Sequence, residues 1–397
     1  RDDVESRGLG DVYKRQAINP TETPHISVAL TFKETEESTL QLQAEGTVKK
    51  DAVKKIWRES FDDSEQYVDM FFSRIYRDDD AMLLVDNGIP SSSLLLQRYA
   101  MNFHGVTVSI GYVCGAATIK DARCHGLMHR LMSDALRESY RRGDVLCSLI
   151  PANEWLFHYY GHQGFSPVFY VDVERYTSMH TFRHSGKYFR FEDIDSDDAY
   201  DFFNTMMRQR PCCVQHSREQ YDWILMDNSI DSGTVLGIVD GMDNIAALAF
   251  VVSHDGIALV KDVLAVDNDA RDAILEEIHN LYADMPVTVL GYYTPGREEL
   301  VARGMARIVN AFRCLEIIAS VYPRLKLVMR LCDSIVPENS HVYRIHDGLC
   351  EIDDDYEGQC DFDIDIEVLT SIIFGNDVTR RLLDFPATRP FISLMLD

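Results

Sequence analysis

A glycine-containing loop ahead of an amphipathic segment has the residue types that bind a phosphate group. The loop reads RCHGLM (residues 123–128) and follows an alternating apolar run that predicts a long strand over residues 106–119. The first N–H groups of a helix lack intrahelical acceptors, and the helix dipole adds positive potential at the same end. A pyrophosphate would find donors there, Gly126 would let it approach the backbone, and Arg123 would add charge. A plain polar junction between loop and helix remains the alternative at this point.

The segment after the loop is predicted to be a helix with one apolar face. Apolar residues recur at helical spacing from Leu127 to Tyr140, and Gly143 is placed to end the helix. The strand before the loop contains Gly111 and Gly115, which predict a bulge or a close approach to a ligand.

A short buried strand (144–150) and a helical segment (153–165) come next, and the helical segment carries two adjacent tyrosines, Tyr159 and Tyr160. A phenol can donate a proton in catalysis. Packing of both rings in the core is the alternative.

The elements that must position these residues recur in the second half of the chain. Upstream of the loop, two helices broken near Asp62-Asp63 and a hairpin turning at residues 86–88 are predicted. From about residue 190 a similar order of elements starts again, which predicts a duplicated domain. The predicted elements there are helices over 197–227 and 269–283 and strands over 234–239, 245–253, 257–265 and 286–293.

A third unit is predicted after residue 300. Its pattern indicates a small α+β domain whose elements are a helix over 304–322, a strand over 325–333, a hairpin over 341–352, an alternating strand over 360–367 and a last helix over 366–374.

Composition limits the kinds of function. The 397 residues carry 39 basic and 64 acidic side chains, a formal charge of −25, which repels nucleic acid and anionic membranes and attracts cations and amines. Nine cysteines without paired spacing predict reduced thiols and a cytoplasmic protein. No membrane-spanning run is found, and the first sixteen residues, which have no periodicity, are expected to be non-native.

Two other polar groups have alternative interpretations. His125 and His129 have a spacing that suits a metal, but no third ligand is nearby, so solvent-facing or phosphate-adjacent histidines are expected and no metal is predicted. The acids Asp62, Asp63 and Glu65 either attract a cationic amine or cap a helix.

The order of strand, loop, helix, strand and tyrosine-bearing helix resembles the GNAT family of acetyl-CoA-dependent N-acyltransferases. In that family the strand binds the pantetheine arm through its backbone, and the loop binds the pyrophosphate. Tyr160 matches the tyrosine of the family's Y-x-x-x-G-F element, which implies that it protonates the departing thiolate. The coenzyme-binding residues that the resemblance implies are Ala116, Ala117, Thr118, Ile119, Arg123, Cys124, His125, Gly126, Leu127, Met128 and Asn153.

The sequence departs from the family pattern in both halves. Cys124 stands where glycine is frequent, and Met128 stands where glycine or alanine is usual, so a bulkier loop with weaker coenzyme affinity is expected. The equivalent stretch of the second half (266–275) has no glycine, and that half is predicted to bind no coenzyme.

The whole arrangement is similar to the enhanced-intracellular-survival acetyltransferase group. This resemblance implies a mixed α/β (α+β) fold of two tandem GNAT domains, each a mixed sheet flanked by helices, and a C-terminal domain like sterol carrier protein. The domain boundaries are then a leader (1–24), an N-terminal GNAT domain (25–175), a degenerate GNAT-like domain (176–295) and a C-terminal domain (296–397). Homo-oligomers are also implied.

In that group the C-terminal carboxylate acts as general base. Here this is the α-carboxylate of Asp397, provided that the natural chain ends there, and the apolar tail FISLMLD (391–397) is expected to be tucked into the fold.

The function that follows is acetyl transfer from acetyl-CoA to a primary amine of a cationic acceptor, such as an aminoglycoside, a polyamine or a lysine-bearing peptide. The amine attacks the thioester directly, an N–H near Thr118 meets the oxyanion, and a tyrosine with an ordinary pKa near 10 protonates a thiolate with a pKa of about 8.5. The alternatives are a non-catalytic scaffold that binds no coenzyme and a lipid carrier that uses the C-terminal domain.

Overall fold

The computed structural model describes residues 46–292, 300–374 and 388–396. The described residues divide into two compact units: the first contains residues 46–96 and 113–135, and the second contains residues 97–112 and 136–396 with the gaps just given. The chain passes between the units within β2 (Ile89–Phe103), β3 (Val106–Thr118) and α3 (Leu127–Arg141).

The first unit begins with two helices and a hairpin. Helix α1 (Gly46–Ser60) is followed by α2 (Glu65–Met70), which continues into a π-helical turn (Phe71–Ile75). Strand β1 (Ala81–Asp86) pairs with β2 through a turn in which Asn87 and Gly88 have φ angles of 49° and 79°. The predicted helix break and hairpin are both confirmed.

An aromatic core forms around Trp57 of α1. Its ring lies 5.0 Å from that of Phe61, 4.7 Å from that of Phe71 and 5.6 Å from that of Phe72, and all four side chains are buried. Gly115 of β3 has a φ of +58°, and a Cβ there would overlap the indole of Trp57. The close approach predicted at this glycine is therefore made by a side chain of the protein.

The predicted acidic cluster before α2 serves the local fold. The carboxylate of Asp63 accepts a hydrogen bond of 2.7 Å from the indole N–H of Trp57, and the hydroxyl of Ser64 caps α2 by accepting from the N–H of Tyr67. Glu65 forms an ion pair with Arg58. Of the three predicted acids, only Asp62 has no hydrogen bond or ion pair recorded among the described residues, and it is exposed.

The second unit contains most of a mixed sheet. Its strands are β4 (Leu146–Leu149), β5 (Ser166–Tyr176), β6 (Phe189–Phe191), β7 (Val214–Gln215), β8 (Thr234–Val239), β9 (Ile245–His254), β10 (Ile257–Ala265), β11 (Val287–Gly291) and β12 (Leu300–Ile308). From β3 onward the strand order is β3-β4-β12-β5-β11-β10-β9-β8-β6, and β7 pairs with β2. The β3–β4 and β10–β11 pairs are parallel, whereas the other neighbours from β4 to β6 are antiparallel.

Several helices of the second unit begin with a capping side chain. Side chains of Ser196, Ser217, Asp267 and Asn310 each accept a hydrogen bond from the first turn of the helix that follows, which is the usual role of these residue types. The helices are α4 (Glu154–Gly161), α5 (Asp197–Gln209), α6 (Arg218–Ile230), α7 (Asn268–Leu281) and α8 (Ala311–Val321). No helix in the described ranges is both long and apolar enough to cross a membrane.

A four-stranded sheet follows in the same unit. It has the order β15-β14-β13-β16, and its strands are β13 (Leu327–Cys332), β14 (Val342–His346), β15 (Leu349–Ile352) and β16 (Phe362–Asp365). Asp365 caps the last described helix, α9 (Ile366–Ile373). The predicted hairpin is confirmed, with Asp347 and Gly348 at positive φ in its turn.

The prediction of one helix over residues 304–322 was wrong in its first part. Residues 304–308 belong to β12, and the helix starts at Ala311. Strand β12 lies between β4 and β5, and the residues that it presents to both faces, Met305, Ala306 and Ile308, are buried. A strand that is buried on both faces has no alternation, so its sequence resembles that of a buried helix.

Candidate active site

The predicted phosphate-binding loop has the backbone of an open helix start. Strand β3 ends at Thr118, a short 3₁₀ turn (Lys120–Ala122) follows, and α3 begins at Leu127. Cys124 and Gly126 have φ angles of +64° and +76°. Cys124 thus adopts the left-handed conformation that glycine adopts most easily, so the loop keeps this shape without a glycine there.

The loop leaves backbone donors available. The N–H of Arg130 bonds to the carbonyl of Gly126, but no acceptor among the described residues is recorded for the N–H groups of residues 124–129. A Cβ on Gly126 would meet no atom within 4 Å, so the space over this glycine is open. Donors, open space and the positive end of a 15-residue helix together suit an anionic group.

Arg123 joins the loop to the end of β3. Its Nε donates to the carbonyl of Thr118 at 3.0 Å, and the hydroxyl of Ser92 contacts the Thr118 hydroxyl at 2.9 Å and donates to the carbonyl of Ala117 at 3.1 Å. The N–H of Ile119 donates to the carbonyl of Ser91. Because that N–H is already bonded, an oxyanion donor near Thr118 would have to be a different N–H.

The predicted coenzyme residues of the first unit differ in exposure. Ala117 is buried, Ala116, Thr118, Ile119, Arg123, Leu127 and Met128 are half-buried, and Cys124, His125 and Gly126 are exposed. The structure brings all ten into one continuous stretch of strand end, loop and first helical turn. His129 is exposed on α3, and no cluster of His, Cys, Asp or Glu able to hold a metal is found among the described residues.

Strand β3 pairs with β4 in parallel over Ile110–Tyr112.

Asn153 and Tyr160 lie on α4 of the second unit. Asn153 is the N-cap residue, but its exposed side chain makes no capping hydrogen bond, so the amide is not used by the helix. Tyr160 is 5% exposed, and its ring packs against those of Phe165, at 5.9 Å, and Tyr159, at 5.2 Å.

Burial sets the protonation of both tyrosines. It raises the pKa of Tyr160 well above its usual value, and the neighbouring Tyr159 adds to the rise. Burial also raises the pKa of Tyr159 to about 12, and the side chain of Gln163 has a smaller, opposite effect on this pKa. Both phenols therefore hold their protons throughout the physiological pH range.

Asp397 lies outside the described residues, and the segment before it packs into the second unit. Residues 391–396 are all buried, as predicted for the apolar tail. Phe391 pairs with Cys212–Val214 through two backbone hydrogen bonds, and the Ser393 hydroxyl donates to the buried carboxylate of Asp262 at 2.7 Å. We refer to residues 388–396 as the C-terminal segment.

Sequence reasoning missed the residues that support the loop. Ser91 and Ser92 fix the end of β3, and Trp57 packs under Gly115, yet all three precede the loop by more than twenty residues. The run Ser91-Ser92-Ser93 in an otherwise apolar strand was the available signal, because buried hydroxyls need hydrogen-bond partners.

Residues 47–168, which contain the loop and Tyr160, match the family described as acetyltransferase (GNAT) domain. No curated protein matches the sequence.

Several solved structures share the fold. A probable N-acyltransferase from Enterococcus faecalis is 15% identical with a TM-score of 0.68, covering 86% of this chain and 95% of its own. A GCN5-related N-acetyltransferase from Anabaena variabilis is 16% identical with a TM-score of 0.66 (87% and 96% covered). Eis1 from Mycobacterium abscessus is 12% identical with a TM-score of 0.65 (88% and 97%).

These likenesses establish a shared mixed α/β fold over nearly the whole length of each relative, as the sequence predicted. The family match adds that residues 47–168 are similar to a GNAT acetyltransferase domain.

Proposed function

We propose that the protein transfers an acetyl group from acetyl-CoA to a primary amine of a cationic acceptor, of the aminoglycoside, polyamine or lysine type. The observation that carries the proposal is the open helix start: the N–H groups of residues 124–129 face no recorded acceptor, above a glycine with free space. The formal charge of −25 favours a cationic acceptor over an anionic one.

The proposed reaction is a direct attack in a ternary complex. The neutral amine forms a bond to the thioester carbon, and the C–S bond breaks as the tetrahedral intermediate collapses. The amine proton goes, directly or through water, to a base, which is the α-carboxylate of Asp397 if the natural chain ends at this residue. The thiolate takes a proton from Tyr160. No covalent enzyme intermediate is needed. The buried thiol of Cys147, whose pKa burial raises, has no part in this reaction.

Coenzyme contacts are proposed along one stretch of chain. The backbone of Ala116–Ile119 would hold the pantetheine arm, and residues 123–128 would hold the pyrophosphate, with Asn153 as a further contact. Since Nε of Arg123 is engaged with Thr118, its terminal guanidinium nitrogens are the groups left for the phosphate.

The alternative of lipid carriage receives less support from the structure. Among the described residues, the apolar cavity lined by α8, β13 and α9 has a volume of about 10 Å³. That is about the room that one water molecule needs, ~10–15 Å³. A fatty acid or sterol would need far more space.

Isothermal titration of acetyl-CoA into the full chain tests the coenzyme proposal. We expect micromolar binding in the natural sequence and no detectable binding in the double variant Arg123→Glu, Gly126→Asp, which places two carboxylates at the helix start. The matched control is Arg141→Glu, Gly143→Asp at the other end of α3, where Gly143 also has a positive φ and free space. It makes the same changes and should bind normally.

Absence of binding in the natural sequence would favour the non-catalytic scaffold. Equal loss in both double variants would mean that the helix, and not its N-terminal end, was the feature damaged.

A further inference from the structure

A cavity of about 500 Å³ lies in the second unit, and no residue of the coenzyme loop lines it. Its walls are the end of α4, strand β12, the end of β13 and the start of α9, and Tyr160 is not among its lining residues. This volume is within the range of pockets that hold small organic molecules, ~300–1,000 Å³.

The floor of the cavity is a buried ion pair. Arg307 is 1% exposed, and its guanidinium donates to the carboxylate of Asp333, which is also buried, at 2.6 Å. The same carboxylate accepts from the N–H groups of Ile335 and Val336 and from the amide of Asn339. The pair is therefore satisfied internally and contributes no net charge to the cavity.

The rim, in contrast, carries unbalanced negative charge. Glu367 is half-buried, and among the described residues its carboxylate has no recorded hydrogen bond or ion pair. Burial raises the pKa of Glu367, the neighbouring Asp365 raises it further, and only His162 acts against this. A half-buried carboxylate beside a second acid is stabilised by a cation that reaches both.

The remaining walls suit an aliphatic chain that ends in a hydrogen-bond donor. Phe157, which is half-buried, and Pro167, which is exposed, supply apolar surface. The imidazoles of His158 and His162 can accept hydrogen bonds. Gln163 is 1% exposed, lines the same cavity, and neither of its amide atoms has a hydrogen bond of normal geometry to the described residues.

We propose that this cavity binds an aliphatic primary amine, with the ammonium group at Glu367 and Asp365 and the carbon chain along Phe157 and Pro167. Its lining residues do not include those of the coenzyme loop, and the site does not rest on the acetyltransferase proposal. An alkyl ammonium matches it because the charge faces the two carboxylates while the methylene groups face the apolar wall.

The test uses 1,4-diaminobutane as the probe and 1,4-butanediol, which has the same carbon skeleton without charge, as the matched compound. Ligand-observed NMR with the full chain, at constant ionic strength and without coenzyme, should show saturable binding of the diamine and none of the diol. Glu367→Gln should weaken diamine binding by about tenfold, because one charge contact at a half-buried site is lost.

Two further variants locate the binding. Glu357→Gln makes the same change at an exposed glutamate that does not line the cavity, and it should bind like the natural protein. Gly161→Leu should abolish binding, because a Cβ there would lie 4.0 Å from Oε1 of Glu367 and a leucine would fill the space beside the carboxylate. Gly161 has no positive φ, so leucine fits its backbone.

Diamine binding that is unchanged in Glu367→Gln would overturn the proposal, because the diamine would then bind elsewhere, such as at an acceptor site of the transferase. So would a natural protein that does not distinguish the diamine from the diol. Neither result affects the coenzyme test, which measures a different ligand at a different loop.

Discussion

Tyr160 holds its phenol proton because its side chain is almost completely removed from water. Replacing it with phenylalanine removes one oxygen and keeps the ring contacts with Tyr159 and Phe165. If Tyr160 protonates the departing thiolate, kcat for acetyl transfer should fall about a hundredfold in Tyr160→Phe, the usual size of a general acid's contribution. The acetyl-CoA dissociation constant and the thermal unfolding midpoint should stay near those of the natural protein.

Tyr159→Phe is the matched control for this prediction. It makes the same change on the adjacent ring, which also has a raised pKa. Thiol release measured with a chromogenic reagent should show nearly normal turnover in this variant. Normal turnover in both variants would remove Tyr160 from the mechanism. An equal fall of turnover in both variants would indicate that packing of the helix, and not one hydroxyl, controls the rate.

Single residues also show where sequence reasoning ends. Residue 124 is a cysteine where glycine is frequent in the family, and this predicted a bulkier loop with weaker coenzyme affinity. Its φ of +64° shows that the cysteine accepts the conformation that glycine would have supplied. Residue type limits backbone angles without setting them, since tertiary contacts can hold a residue other than glycine in the left-handed region. Only the structure gives that angle.

At the scale of elements, β3 and α1 depend on each other through Gly115. Alanine at this position would meet the indole of Trp57 while also holding a φ of +58°. We expect Gly115→Ala to lower the free energy of unfolding of the first unit by about 3–4 kcal/mol, from overpacking and left-handed strain together. Coenzyme binding should weaken as well, because β3 leads directly into the loop.

Gly126→Ala provides the comparison for Gly115→Ala. It has the same kind of φ, +76°, but free space around its Cβ position, so only the backbone strain of about 1 kcal/mol applies. Denaturant unfolding of the two variants separates the steric contact from the strain. Similar losses of stability would show that the indole moves aside at little cost.

The elements that sequence predicted well carry their own local signals. The hairpin at Asn87-Gly88 and the helix capped by Asp267 have turn or capping residues that act within four positions. Strand β12 has no such signal. Its partners β4 and β5 precede it by more than 120 residues, and only their pairing makes residues 304–308 a strand. Patterns within a window do not contain that information.

At the scale of the whole molecule, the C-terminal segment depends on contacts that no local pattern encodes. The carboxylate of Asp262 is fully buried, receives two hydrogen bonds of 2.7 Å from Arg210, and accepts a third from Ser393. Arg210 also lies over the ring of Phe391, 4.9 Å from its centre. The apolar composition of the tail predicted burial, but the polar anchor joins residues that are 131 positions apart.

His216 belongs to the same anchor and makes its stability depend on pH. Its Nε2–H donates to the carbonyl of Ser393 at 3.0 Å, and burial lowers its pKa to about 4. The folded chain therefore disfavours the protonated ring, while the unfolded chain takes up the proton near the ordinary pKa of about 6.5. The contribution of the neutral ring is complete above pH 6.5 and is lost as pH falls toward 4.

At about pH 5 this single histidine should lower the free energy of unfolding by about 2 kcal/mol relative to neutral pH. His216→Gln keeps an N–H donor for Ser393 and removes the titrating ring. The fall in its free energy of unfolding between the two pH values should therefore be smaller by that amount. Burial also lowers the pKa of His104 to about 4. This residue contributes the same loss of stability in every variant, so its contribution cancels when the variants are compared. His180→Gln, at an exposed histidine, should follow the natural protein. Urea unfolding at both pH values measures these differences. An identical loss in His216→Gln and the natural protein would mean that this ring takes up its proton without disturbing the C-terminal segment.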